Sequence, residues 1–98
     1  MSTSQIKLLI AEDELNLSFV LQKELARQGF AVSIAHNGDD AIRLARMEEF
    51  QVALLDLMMP GANGIQVLRA LCEQEPAPEV IIMTGHATVN TALEAMKL

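Results

Sequence analysis

Cysteine is nearly absent from this sequence: Cys72 stands alone, so no disulfide can form within the chain, and that usage fits a reducing compartment. Cationic residues are scarce too. Seven Lys and Arg face thirteen Asp and Glu, for a net charge of -6, which argues against a surface that neutralises nucleic-acid phosphates or anionic lipid. No apolar run approaches the roughly 20 residues needed to cross a bilayer. Met1 to Lys7 lacks the basic stretch and apolar segment of an export signal. A cytoplasmic, soluble, unexported chain that binds neither nucleic acid nor membrane is therefore expected. There is no Gly-rich loop followed by Lys-Ser or Lys-Thr, which excludes P-loop chemistry. Repeats, low-complexity blocks and linkers are also missing; Pro76-Ala77-Pro78 reads only as a loop.

Apolar side chains are what the sequence has in quantity. They make up 51% of 98 residues, enough for one buried core and too little chain for two domains. Ile6 to Ala11 is a short apolar run without alternation, as in a strand covered on both faces. After Glu12-Asp13-Glu14, the spacing of Leu17, Val20, Leu21 and Leu25 predicts a helix that stops at Gly29. Phe30 to Ala35 is predicted as a second strand, Asn37-Gly38 as a turn, and Ala41, Leu44 and Ala45 as the inner stripe of a second helix. Gln51 to Leu57 is a third strand, ended by Pro60-Gly61, with Asp56 its one charged residue. A third helix follows with Ile65, Leu68, Leu71 and Cys72 inward. Val80 to Met83 is a fourth strand, and Val89, Ala92, Leu93 and Met96 trace a fourth helix.

Strand and helix thus alternate four times, which predicts right-handed crossovers and a parallel sheet with helices on both faces, an α/β doubly wound fold. Sites in such sheets lie at the carboxyl ends of the strands, beside the point where strand order reverses. Glu12 and Asp13 follow strand one, Asp56 closes strand three, and Thr84-Gly85 follows strand four. With strands one and three adjacent, as in the flavodoxin-like order, three carboxylates converge. Such a group repels itself unless a proton or a cation intervenes. Mg²⁺ suits oxygen ligands of this kind and usually keeps several waters. Asp56 would then retain an oxygen able to attack phosphorus and form an acyl phosphate, with Thr84 donating its hydroxyl to the phosphoryl oxygens.

At these positions the chain resembles the receiver domains of two-component response regulators. The likeness rests on strand-Glu12-Asp13-Glu14, on Asp56-Leu57-Met58-Met59-Pro60-Gly61 with Gly64, and on Met83-Thr84-Gly85-His86-Ala87, and it extends over essentially the whole chain. It implies strand order 2-1-3-4, an acidic pair at Glu12 and Asp13, a phosphoacceptor at Asp56, a switch hydroxyl at Thr84 and a metal-binding backbone carbonyl at Met58. It also implies Mg²⁺ as cofactor, a sensor histidine kinase as phosphoryl donor and an output domain beyond this segment. Thr84-Gly85-His86 and the closing Ala92-Leu93-Glu94-Ala95-Met96-Lys97-Leu98 most resemble receivers of nitrogen-regulation type, whose output is often a sigma-54-dependent transcriptional activator.

Two departures accompany the resemblance. Glu12 stands where the family more often has Asp, which bears on whether it meets the metal directly or through water. Measured against the family, residues 1–98 form an incomplete receiver domain without the fifth strand and helix. The family's lysine and switch aromatic have no counterpart, and neither Lys7 nor Lys97 takes that lysine's place. An open edge on the fourth strand would favour pairing with a second chain or exchange of elements.

Plainer readings stand beside these. Glu12 and Asp13 are also placed to cap the first helix, Thr84 to cap the fourth, and Glu14 to sit in a first helical turn. His36 and His86 lack partners at ligand spacing and are expected on the surface. Met58 and Met59 suit either a loop patch or the core. Two other functions compete with a phosphorylation switch. Haloacid-dehalogenase phosphatases also use a strand-end Asp with Mg²⁺, but they need a second Asp where this chain has Met58, so an enzyme is not expected. An interaction module that keeps the fold without being phosphorylated is the third reading.

Overall fold

The structure, a computed structural model, describes residues 5–59, 61 and 63–83. In chain order it contains β1 (Lys7–Ala11), α1 (Leu15–Arg27), β2 (Ala31–Ala35), α2 (Gly38–Met47), β3 (Val52–Asp56), α3 (Gly64–Cys72) and β4 (Glu79–Met83). The four strands are parallel and ordered β2-β1-β3-β4, the flavodoxin-like arrangement. Strand limits fall within two residues of those expected from the sequence. The expected fourth helix lies outside the described residues.

Register follows from which strand residues are buried. Leu9 pairs with Ser33 and Ala53, Ala11 with Ala35 and Leu55, and Leu55 with Ile82. Leu9, Ala11, Ala35, Ala53 and Leu55 therefore point to one face, because alternate strand residues share a side. There they meet Ala41 and Ala45 of α2 and Val67, Leu68 and Leu71 of α3 in a single buried cluster. Two alanines on the inner stripe of α2 let that helix lie close to the sheet.

The helix ends are set locally. Asn37 is the N-cap of α2 rather than part of a turn, its side chain accepting from the Asp40 N–H at 2.8 Å. Asn63 and Gln66 form a reciprocal capping box that starts α3. Gly29, with φ +103°, follows α1 in the left-handed conformation that a helix stop requires.

The structure shows which side of α1 faces inward, and it corrects one residue expected inward on α3. In α1 the buried residue is Ser18, with Leu21 and Leu25 half-buried, while Leu17 and Val20 are exposed. Apolar residues occur nearly all round this helix, so spacing alone does not select the face that meets the sheet; the small Ser18 permits the closest approach. Cys72 is exposed. It ends α3, one residue beyond the buried Leu71 and about 100° round the helix from it. His36 is exposed, as expected.

Candidate functional site

The acidic residues reach one place because β1 and β3 are neighbours in register. Ala11 pairs with Leu55, so Glu12 and Asp56 leave adjacent strands side by side, and Asp13 follows in the first loop. One carboxylate oxygen from each of Glu12, Asp13 and Asp56 lies within 4.8 Å of the others. Glu12 and Asp56 are buried at 5% and 3% exposure, whereas Asp13 faces solvent. None of the ion pairs among the described residues involves any of the three.

Each buried carboxylate is held by the backbone. Oδ1 of Asp56 accepts the Met58 N–H at 3.0 Å, which leaves its second oxygen without a backbone tether. Oε2 of Glu12 accepts the Glu14 N–H at 3.0 Å. Glu14 is the N-cap of α1 and makes no side-chain cap bond. Burial pushes the Glu12 carboxyl above its ordinary range; the Glu14 N–H opposes this, and the nearby Asp56 and Asp13 add to the rise.

Three oxygen donors, two of them out of water, suit a small hard dication, whose charge would offset the burial and, to a smaller degree, the neighbouring carboxylates that now drive Glu12 toward its proton. Such an ion also offsets charge on an incoming phosphoryl group. The arrangement can therefore present a tethered carboxylate to an anionic electrophile.

Met58 is exposed at 49% beside Asp56, and its neighbour Met59 is buried at 9%, so the pair divides between loop surface and core. Thr84, Gly85 and His86 lie outside the described residues. One contact was not anticipated from the sequence: Nδ1 of His36, just past β2, lies 3.2 Å from the backbone carbonyl of Glu12. No sequence spacing signals it, because it depends on the pairing of β1 with β2.

Residues 8–98 match the response regulator receiver domain family. The chain is 34% identical over 97 residues to the transcriptional regulatory protein ZraR of Klebsiella oxytoca, covering 99% of this chain and 22% of that protein, so it spans about a fifth of that relative's length. A crystal structure of a response regulator from Burkholderia pseudomallei, containing a phosphorylated aspartic acid, a calcium ion and citrate, superposes with a TM-score of 0.86. It is 32% identical, over 96% of this chain and 55% of that one. The receiver domain of the sensor histidine kinase PA1611 from Pseudomonas aeruginosa PAO1, with magnesium coordinated in its active-site cleft, shares the fold at TM-score 0.82. Its identity is 22%, over 96% of this chain and 79% of that one. This chain belongs to the response regulator receiver domain family, the phosphorylated signalling module of two-component systems.

Proposed function

We propose that this segment is the phosphoacceptor of a two-component response regulator, with Asp56 taking a phosphoryl group from a phosphohistidine of a sensor kinase. The observation that carries the reading is the gathering of Glu12, Asp13 and Asp56 within 4.8 Å, with two of the three buried. Because the Met58 N–H tethers Oδ1 of Asp56, the second oxygen is the attacking atom. Its electron pair forms the O–P bond as the P–N bond to the donor imidazole breaks, and the imidazole nitrogen takes up a proton from solvent.

Glu12, Asp13 and Asp56, with the Met58 backbone carbonyl, are the groups that would hold Mg²⁺. The ion, when bound, supplies positive charge against the phosphoryl oxygens. Thr84 is proposed as the switch hydroxyl, on the strength of its motif after the fourth strand. Phosphorylation would favour one of two arrangements of that region, since its contacts must be better in one state than in the other.

Residues 1–98 are read as the receiver part of a cytoplasmic regulator whose output domain, a transcriptional activator of the sigma-54-dependent kind, lies elsewhere in the protein. The segment is a switch and not a turnover enzyme. No helix among the described residues is long and apolar enough to cross a membrane.

Acetyl phosphate with Mg²⁺ tests the proposal, comparing the chain with its Asp56→Asn variant. A hydroxylamine-sensitive phosphoryl adduct on the parent and none on the variant is expected. Equal labelling of the two would remove Asp56 from its role.

A further inference from the structure

Both backbone polar groups of Glu12 are held from the end of β2, one by Ala35 and the other by His36 just past it. The Glu12 N–H donates to the Ala35 carbonyl at 3.0 Å, extending the β1–β2 ladder one residue past the strands. In that parallel register the next bond would run from the Asn37 N–H to the Glu12 carbonyl. Asn37 instead leaves the sheet as the N-cap of α2, and among the described residues no backbone N–H donates to that carbonyl. The His36 ring stands in its place, with Nδ1 3.2 Å from the Glu12 oxygen. Since a carbonyl can only accept, Nδ1 must carry the hydrogen.

This carbonyl belongs to the peptide that joins the two acidic residues. A peptide unit is planar, so fixing the Glu12 C=O fixes the Asp13 N–H and the direction in which the Asp13 Cα leaves. Asp13 has little else to orient it. It is exposed, and among the described residues no side chain or backbone N–H donates to its carboxylate. Glu12 and Asp56, by contrast, are buried and each bonded to a backbone N–H.

We infer that His36 is a positioning residue for cation binding: by replacing a missing ladder bond it sets the Glu12–Asp13 peptide plane and so aims Asp13 at the site shared with Glu12 and Asp56. The inference rests on the reading of that cluster as the Mg²⁺ site.

The bond, not the ring, is the active feature, and this makes the test specific. In Asn the side-chain nitrogen is the same number of bonds from Cα as Nδ1 is in His, so His36→Asn keeps the donor without the ring. His36→Phe keeps a ring without the donor, and His36→Ala removes both. Mg²⁺ affinity is measured by NMR titration of the folded chain, and the Glu12 carbonyl ¹³C shift is recorded without metal as a direct report on the bond. His36→Ala and His36→Phe are expected to weaken Mg²⁺ binding about tenfold, the scale typical of outer-sphere hydrogen bonds to metal sites. Both are expected to move the Glu12 carbonyl shift in the same direction, and His36→Asn to restore both readouts.

If His36→Ala binds Mg²⁺ as the parent does, or His36→Asn is as weak as His36→Ala, the positioning role is overturned while the site stands. If the parent itself shows no saturable Mg²⁺ binding, the site reading falls, and the inference with it.

Discussion

The two faces of the sheet are held in different ways. Against α2 and α3, residues such as Leu9, Leu55, Val67 and Leu71 are fully buried in one continuous cluster. Against α1, Leu8 and Ile10 are buried from the strand side, but Leu15, Phe19 and Val20 of the helix are 63–67% exposed, and Ile81 on the same side of β4 is 54% exposed. Cohesion among the described residues therefore lies mainly on the α2/α3 face, whereas Glu12 and Asp56, one residue past Ala11 and Leu55, alternate to the other side of the sheet. Hydrophobic composition alone would rank α1 as a core helix; burial says that it is not.

The sharpest way to break this contrast is truncation of a fully buried leucine on the strong face. Leu71→Ala or Leu55→Ala is expected to cost about 2–5 kcal/mol in denaturant melts, the transfer loss plus the cavity left behind. Next in size is Gly64→Ala. A Cβ there would lie 2.2 Å from the Leu57 Cα, and backbone cannot yield as a side chain does, so a loss of about 3 kcal/mol is expected. Asn63→Ala removes the capping box of α3 and should cost about 1 kcal/mol by the same measurement. Phe19→Ala is the opposing control, expected to stay within about 0.5 kcal/mol of the parent because the ring is already in water. A loss from Phe19→Ala as large as that from Leu71→Ala would erase the distinction between the faces.

A further prediction separates the site from the core. Glu12 is raised in the folded state, so the fold holds that proton more tightly than the unfolded chain does. Its contribution is present at acid pH, below the unfolded value, and is lost as pH rises through the folded one. Without metal, Glu12→Gln should melt higher than the parent at pH 7 and converge with it toward acid pH. Added Mg²⁺ should raise the parent's melting temperature more than the variant's. Thermal melts across pH, with and without Mg²⁺, check both signs.

Much of this was legible in the sequence, for physical reasons. Strands β1 and β3 are apolar on both faces and cannot lie at the surface, so the carboxylates at or just past their ends must sit at the carboxyl end of the sheet. The gathering of Glu12, Asp13 and Asp56 then needed only that the two strands be neighbours. The orientation of α1 was not legible. Leu15, Leu17, Phe19, Val20, Leu21 and Leu25 encircle the helix, and a serine marks its inner side. Cys72 shows the same limit, since its residue type favours burial but its position at the helix end does not. Met58 and Met59 are adjacent and alike in chemistry, and only the path of the loop sends one out and the other in. The contact from His36 to Glu12 required the register of β1 with β2, which no spacing within either strand encodes.

The pairing of Ala11 with Leu55 has a consequence for how this segment tolerates change in length. Side chains alternate along a strand, so deleting a single residue from β3 would turn Ala53 and Leu55 away from α2 and α3 and shift Asp56 by about 3.3 Å along the sheet. Insertions and deletions in the two central strands should therefore abolish cohesion and chemistry together, whereas the outward side of α1 is free to vary without disturbing either.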